Sequence, residues 1–143
     1  MRASLQMQRS PEETGDYVRS LRATAEAAHA GRGQLTHWLD AHVSATAGRR
    51  SDIVLAVYEA VANAVEHAYR VQGLSGDIGV HATYDGAAGA LDITVHDSGT
   101  WRPPQPTTHR GRGIALMTAL SDAVTTSTGD EGTTVVLHWQ LRS

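Results

Sequence analysis

The sequence contains no cysteine and no lysine, and each absence removes whole classes of function. Without cysteine there can be no disulfide framework, no thiolate metal site and no cysteine nucleophile. Without lysine there can be no Walker-A phosphate loop, because the lysine of that motif must reach the β- and γ-phosphates. A nucleotide bound by this chain must therefore be held in another way.

The chain also lacks a long apolar run and a basic cluster. No window approaches the roughly 20 consecutive apolar residues that a membrane-spanning helix needs, and the start of the sequence carries no apolar signal segment. The basic residues are scattered and the net charge is −3, so the charge pattern of a nucleic-acid binder is missing. We therefore expect a cytoplasmic protein that contacts neither a membrane nor nucleic acid directly.

Length and composition are those of one globular domain. The 143 residues fall in the range of about 100–150 that single domains favour. Hydrophobic residues make up 41% and charged residues 19%, which is too apolar for a disordered chain. We expect a single domain over residues 1–143.

Residue spacing predicts the elements of the first third of the chain. Leu5, Met7 and Arg9 alternate with two glutamines, which predicts a short first strand over residues 5–9. Apolar residues at helical spacing predict a helix over residues 12–30, which Gly31 and Gly33 interrupt. A second helix is expected over residues 35–48, ended by its glycine.

The third predicted helix has the clearest pattern in the chain. Ser51 can cap its N-terminus. Glu59 and Asn63 share a face because residues four apart are neighbours on a helix, and this face lies nearly opposite the apolar one. A solvated helix face is the plain alternative for such a pair, although asparagine is a poor residue for a helix interior. The apolar stripe consists of Ile53, Val57, Val61, Ala64 and Ala68.

A hairpin, a loop and a short helix are predicted next. Residues 78–84 and 91–95 alternate and are joined by a glycine-containing turn, which predicts a β-hairpin. Residues 98–113 hold three of the four prolines, which predicts a loop. Apolar residues then recur at helical spacing over 114–120.

The chain ends with a second predicted hairpin, and the order of elements indicates the fold class. Residues 123–128 and 133–141 read as strands across a short turn. A set of helices followed by hairpins suits helices packed on one face of a mixed, mostly antiparallel sheet. The predicted fold class is α+β, a two-layer α/β sandwich.

Three short polar sequences beyond the third helix could carry chemistry. Asp97 ends an apolar strand close to Gly99, and such a carboxylate can accept a hydrogen bond from a ligand amine where glycine lets the ligand come close. Residues 110–113, Arg-Gly-Arg-Gly, precede an apolar helix whose N-terminal amides would favour an anion. Thr133 follows a glycine at a strand start. Each alone is equally a turn or a routine strand residue.

Their order along the chain is more specific than any one of them. E-x-x-x-N-A-x-x-H-A-Y runs from Glu59 to Tyr69, D-x-G-x-W-R-P-P from Asp97 to Pro104, G-R-G-I-A-L-M from Gly111 to Met117, and G-T at Gly132–Thr133. This series resembles the N, G1, G2 and G3 boxes of the GHKL (histidine kinase-like) ATPases, and within them the anti-sigma-factor serine/threonine protein kinases. The resemblance covers about residues 10–141 and implies a Bergerat-type ATP-binding fold.

The resemblance implies roles for residues that match the boxes. Asn63 would help to coordinate Mg²⁺ bridging the phosphates of ATP, and Glu59 would act as the general base on the attacking hydroxyl. Asp97 would accept a hydrogen bond from the adenine amine, with Gly99 allowing the ring to approach. Thr133 would support the adenine.

In the G2 box, Gly111 and Gly113, with Arg110 or Arg112, would form a lid over the phosphates. The segment before it is short compared with the corresponding segment of chaperone- and topoisomerase-type relatives, which argues against those branches.

The function that the resemblance implies is an ATP-dependent serine/threonine protein kinase acting as an anti-sigma factor. Its partners would be a sigma factor and an anti-anti-sigma antagonist, which it phosphorylates, and the family also implies a homodimer. A non-catalytic ATP- or ADP-dependent binding module is the alternative, although Glu59 favours the enzyme. The catalytic domain of a histidine-kinase-like system is a third reading. His96 begins an H-D-S-G-T sequence like a phosphoacceptor, but that motif needs a dimerisation helix.

Overall fold

The computed structural model describes residues 15–66, 76–98, 108–129 and 132–141, so the strand expected at residues 5–9 lies outside it. Three helices and five strands are formed by the described residues. In chain order they are β1 (Gly15–Arg22), α1 (Ala25–His42), α2 (Ala47–Asn63), β2 (Asp77–Asp85), β3 (Ala90–Asp97), α3 (Thr108–Leu120), β4 (Ala123–Gly129) and β5 (Gly132–Gln140).

The five strands form one sheet with the order β1-β2-β3-β5-β4, and each neighbouring pair is antiparallel. Burial alternates along β2 and β3, so one sheet face is covered by the helices and the other faces solvent. The predicted α+β two-layer fold is confirmed. No parallel pair occurs among the described strands, so the sheet is antiparallel rather than mixed there.

The β2–β3 hairpin forms where the alternation predicted it. Tyr84 pairs with Leu91, and the residues between the strands close the turn. The Gly89 amide donates to the Asp85 carbonyl at 2.8 Å, and Gly89 has a φ of 71°. That left-handed backbone suits glycine, so the turn is encoded locally. The predicted β4–β5 hairpin is also confirmed.

The first helix was predicted wrongly over its N-terminal half, where residues 15–22 form β1. Tyr17 and Leu21 are both buried, and two residues four apart satisfy the period of a helix as well as that of a strand. Pairing with β2 over the full length of β1 decides the conformation, from Gly15 opposite Tyr84 to its last residue. That pairing supplies backbone hydrogen bonds that local spacing does not reveal.

The expected break at Gly31 and Gly33 is also wrong, because α1 runs unbroken through both glycines. Thr24 caps this helix, its hydroxyl oxygen accepting from the Ala27 amide at 3.1 Å. A Cβ on Gly31 would come within 2.8 Å of a methyl group of Leu21. Glycine therefore lets α1 pack closely on β1, and this contact offsets the poor helix propensity of glycine, about 1 kcal/mol.

The boundary between α1 and α2 differs from the prediction as well. α1 ends at His42, and α2 begins at Ala47 after a cap by Thr46, whose hydroxyl accepts from the Arg49 amide at 3.1 Å. Gly48 therefore lies in the first turn of α2, and Ser51 lies inside this helix instead of capping it. The predicted stripe is confirmed at Ile53, Val57, Val61 and Ala64, which are buried, whereas Ala68 lies outside the described residues.

The start of α3 corrects the predicted loop, because residues 108–113 are already helical. Gly111 and Gly113 each cost about 1 kcal/mol in helix propensity, whereas packing supplies most helical stability in a folded protein. α3 packs against α2, and Met117 is buried in that layer. The Trp139 indole N–H donates to the Leu120 carbonyl at 2.9 Å, which ties the end of α3 to β5.

Candidate functional site

Asp97 is the last residue of β3, and its carboxylate points to the helix-facing side of the sheet. It is only 5% exposed and is the one buried charged residue among those the structure describes. The alternation of β3 explains this, since Leu91, Ile93 and Val95 lie on the same buried face. A buried carboxylate is costly unless a hydrogen-bonding function offsets the loss of water. Because little water reaches this strand end, a hydrogen bond from a ligand donor to the Asp97 carboxylate would meet little competition.

The start of β5 lies against this strand end in a way that only glycine permits. Gly132 has a φ of +119°, and a Cβ on it would stand 1.9 Å from the Asp97 carbonyl oxygen. The same atom would stand 2.9 Å from Cα of Ser98. Thr133 then pairs directly with Asp97 across the sheet, so the fold brings these two predicted site residues into neighbouring positions.

A second cross-strand contact lies on the opposite, solvent-facing side of the same two strands. Nδ1 of His96 and the hydroxyl of Thr134 are 2.8 Å apart, and these residues form the next pair in the β3–β5 register. His96 lies in a strand, so it has no place on a phosphoacceptor helix. No role could be predicted from the sequence for Gly132 or for the His96–Thr134 pair. A glycine directly before the strand threonine was the available signal for the first.

Glu59 and Asn63 lie one helical turn apart in the last turns of α2, as the spacing predicted, and both are half-buried. The helical path continues through residues 64–66 as a wider, π-type turn. The Ala64 amide there donates to the carbonyls of both Ala60 and Val61. Such turns occur frequently at functional sites because they displace side chains from the regular helical positions.

Helix α2 connects these polar side chains with the other parts of the candidate site, because it packs on β3 and on α3. The residues 110–113 lie inside α3 and not before it, since α3 begins at Thr108. Arg110 and Gly111 fall in its first turn, where backbone N–H groups have no helical partner and can meet an anion. Gly99 lies outside the described residues.

A protein-only metal cage is not formed by the residues that the structure describes, since no three histidine, aspartate or glutamate side chains converge. Mg²⁺ in nucleotide sites is usually held by one or two protein ligands together with phosphates and water. The single amide oxygen of Asn63 fits a metal that arrives with a nucleotide.

The comparisons define the class of protein that this fold and site represent. The family model described as the histidine kinase-like ATPase domain matches residues 21–139. The chain belongs to this family, and the predicted relationship is confirmed. Across the described helices, none is long and apolar enough to span a membrane.

Solved structures show the same architecture. The chain is similar to the RsbU and RsbW domains of Rv1364c from Mycobacterium tuberculosis, with 34% identity and a TM-score of 0.71, over 90% of this chain and 33% of that one. It also resembles the histidine kinase domain of the Erythrobacter litoralis EL346 blue-light activated histidine kinase, with 18% identity and a TM-score of 0.59, over 83% and 64% of the two chains. A second structure of that kinase matches with 18% identity and a TM-score of 0.60, over 78% and 41%. The kinase comparisons show the fold alone.

Proposed function

We propose that this protein is an ATP-dependent serine/threonine protein kinase that acts as an anti-sigma factor. One observation carries the proposal more than any other, the buried carboxylate of Asp97 at the end of β3, whose backbone carbonyl Gly132 approaches closely. Next to it stand Thr133 and the helix that carries Glu59 and Asn63. Family membership supports ATP as the ligand.

The nucleotide base is recognised at the sheet. The Asp97 carboxylate accepts a hydrogen bond from the adenine amino group, and burial makes this bond selective because little water competes for it. Thr133 supports the ring directly or through water, and Gly99 gives the ring room to approach. The close approach of Gly132 to Asp97 holds the two strands in register at this point.

The phosphates lie near the C-terminal end of α2 and the N-terminal end of α3. Asn63 would offer its amide oxygen to Mg²⁺, and the Arg110–Gly113 segment, with the guanidinium of Arg110 or Arg112 and the free N–H groups of the first turn of α3, would cover the phosphate oxygens. Bound Mg²⁺–ATP supplies the γ-phosphoryl group and neutralises charge as it is transferred.

Glu59 is the general base of the transfer step. Its carboxylate takes the proton of a serine or threonine hydroxyl while that oxygen bonds to the γ-phosphorus and the bond to the ADP oxygen breaks. The products are a phosphoserine or phosphothreonine, ADP and a proton on Glu59. Because Asn63 is one helical turn away, base and metal ligand move together as parts of α2.

The likeness to a protein with an RsbW domain supports the proposed partners. The protein acts in the cytoplasm on two partners, a sigma factor, which it sequesters, and an anti-anti-sigma antagonist, which it phosphorylates. It works as a homodimer. The chain spans about a third of the Rv1364c chain it matches, so these partners remain proposals for this protein.

Substitution Glu59→Gln distinguishes a protein kinase from a non-catalytic, nucleotide-dependent binding module. Glutamine keeps the size of glutamate but cannot take the hydroxyl proton, so phosphoryl transfer should fall by about 10² to 10⁴ while ATP affinity stays. Single-turnover transfer from γ-labelled ATP to candidate antagonists measures this. Glu26→Gln, in the exposed first turn of α1, is the matched control.

Each other outcome has a definite meaning. Equal transfer by wild type and Glu59→Gln would show that Glu59 is not the base. ATP binding without transfer to any antagonist would favour a non-catalytic, nucleotide-dependent binding module.

A further inference from the structure

A groove between α1 and α2 takes no part in the proposed phosphoryl transfer. Its volume is about 310 Å³, or about 660 Å³ when its open mouth is included. Leu39 and Val54 are buried and give it an apolar floor, whereas the lining residues Arg32, Asp40 and Ser51 are exposed. The α1–α2 groove is therefore an open channel with an apolar floor and polar walls.

This groove is separate from the candidate nucleotide site. Its α2 residues lie within positions 47–54, whereas Glu59 and Asn63 lie in the last turns of the helix. An α-helix rises about 1.5 Å per residue, so Ser51 and Asn63 are roughly 18 Å apart along the helix axis. An occupant of the α1–α2 groove would leave the nucleotide site accessible.

Arg32 gives the groove a positive charge that no carboxylate neutralises among the residues that the structure describes. Its guanidinium carbon lies 5.4 Å from the ring centroid of Tyr58. Stacking uses the face of a guanidinium and leaves its N–H edge free to bind an anion. Arg32 is therefore oriented by the ring and keeps its donors for a ligand.

The other two charged residues of the groove neutralise each other. Nε of Arg50 donates to Oδ1 of Asp40 at 3.1 Å, and Nη1 of Arg50 donates to the Ala45 carbonyl. A guanidinium has five N–H donors, so these contacts orient Arg50 and leave it further donors. With two arginines and one aspartate the lining has a net charge of +1, in a chain whose net charge is −3.

Shape and charge together indicate the class of occupant. Small-molecule pockets usually bury about 70–90% of the ligand surface, which a channel with so wide a mouth does not do. A protein segment can instead lie along a groove between two helices and place aliphatic side chains on its floor. A carboxylate on the same segment would pair with a guanidinium through two parallel hydrogen bonds.

We propose that the α1–α2 groove docks an acidic segment of a partner protein. An aliphatic side chain of that segment contacts Leu39 and Val54, and a neighbouring aspartate or glutamate pairs with Arg32. Because the chain as a whole is acidic, the attraction is confined to this groove and favours one site of docking. The proposal does not depend on kinase activity.

Titration of the full chain with the peptide acetyl-Glu-Leu-Leu-Glu-amide tests the site. Two-dimensional amide NMR should show saturable shifts centred on the groove, for example at Leu39, Ala47 and Val54. The peptide acetyl-Gln-Leu-Leu-Gln-amide has the same shape without the charge and should bind about three- to fivefold more weakly, because an ion pair with an exposed arginine adds modestly to affinity. High salt should shrink this difference.

Variants of Arg32 identify the group that recognises the charge. Arg32→Gln should remove the preference for the acidic peptide and leave binding of the glutamine peptide unchanged. Arg32→Glu should invert the preference, so that acetyl-Lys-Leu-Leu-Lys-amide binds more tightly than the acidic peptide. Arg22→Gln is the matched control, since Arg22 is an exposed residue of β1 that does not line the groove.

A further variant tests the groove itself. Ser51→Trp places a large ring in the groove from an exposed position of α2, so it should block both the acidic and the glutamine peptide. Circular dichroism checks its fold. Arg32 is exposed as well, so its variants remove no buried packing.

Four results would overturn the proposal. These are the absence of saturable shifts with the acidic peptide, shifts centred on residues outside the groove, equal affinity of the wild type for the acidic and glutamine peptides, and an Arg32→Gln variant that keeps the preference. In the first case, groove shifts that depend on protein concentration would identify a second copy of this chain as the occupant.

Discussion

Gly132 lies so close to Asp97 that the backbone carbonyl of Asp97 occupies the space a side chain on Gly132 would need. A Cβ on Gly132 would stand 1.9 Å from the Asp97 carbonyl oxygen, far below any contact distance. The φ of +119° is in addition one that residues with a side chain rarely adopt. Only glycine at the first position of β5 allows this strand to pack so closely against the end of β3.

Gly132→Ala should therefore disturb both stability and nucleotide binding. The strained backbone alone costs about 1–3 kcal/mol, and the clash with backbone atoms adds to it. Each kcal/mol corresponds to about 2–4 °C in melting temperature for a protein near this size. A thermal melt and ATP calorimetry measure the two effects.

Gly129→Ala is the matched control for that change. Gly129 pairs with Gly132 across the β4–β5 hairpin, yet a Cβ there would meet no atom within 4 Å. Its melting temperature and ATP affinity should stay close to those of the wild type. If both alanine variants behave alike, the approach of Gly132 to Asp97 does not matter for the site.

Asp97→Asn should weaken ATP and ADP binding by about tenfold or more. The amide removes the charged acceptor for the adenine amine, and hydrogen bonds to charged groups are worth about 1.5–3 kcal/mol. Calorimetry measures the affinity, with Asp92→Asn on the exposed face of the same strand as the control. A wild type that binds no nucleotide would contradict the proposed function itself.

Asn63→Ala should abolish the Mg²⁺ dependence of nucleotide retention and leave the fold intact. Asn63 is half-buried at the end of α2, outside the apolar cluster, so truncation opens no core cavity. The comparison is ATP affinity with Mg²⁺ and with EDTA, next to a circular-dichroism melt. Unfolding of the variant, with unchanged Mg²⁺ dependence in the folded remainder, would make Asn63 structural.

Asp122 should make stability depend on pH in the acid range. The backbone N–H of Gln140 donates to its carboxylate at 2.7 Å and, with Arg49 at 3.0 Å, holds the pKa of Asp122 below its ordinary value of 3.8, although partial burial opposes this. Because the folded-state pKa is lowered, the stabilisation is complete above the ordinary value. It is lost as the pH falls from there toward the folded-state pKa.

Thermal melts of wild type and Asp122→Asn from neutral pH downward measure this contribution. The difference in melting temperature should stay constant at neutral pH and shrink below about pH 4. Asp77→Asn, an exposed position at the start of β2, serves as the comparison. A difference that grows on acidification would contradict the sign of the pKa shift.

Local sequence determined the elements whose signals lie within a few residues of one another. The stripe from Ile53 to Ala64 needs only the helical period, and the β2–β3 hairpin needs only alternation and a glycine that adopts positive φ. The position of Asp97 at the end of a strand, and the polar helix face of Glu59 and Asn63, could be predicted in the same way. The ordered series of sequence boxes also indicated the family.

Only the tertiary structure decided the elements whose conformation depends on distant partners. Residues 15–22 have a spacing that suits helix or strand, and hydrogen bonds to β2 select the strand. Gly31 is by itself a predicted helix break, yet α1 continues through it, and the absent side chain lets α1 pack against Leu21. The contact of Gly132 with Asp97 joins strands that are far apart in sequence, so no local pattern encodes it. Propensity over a few residues amounts to about 1 kcal/mol or less per residue, and the packing of whole elements against one another outweighs it.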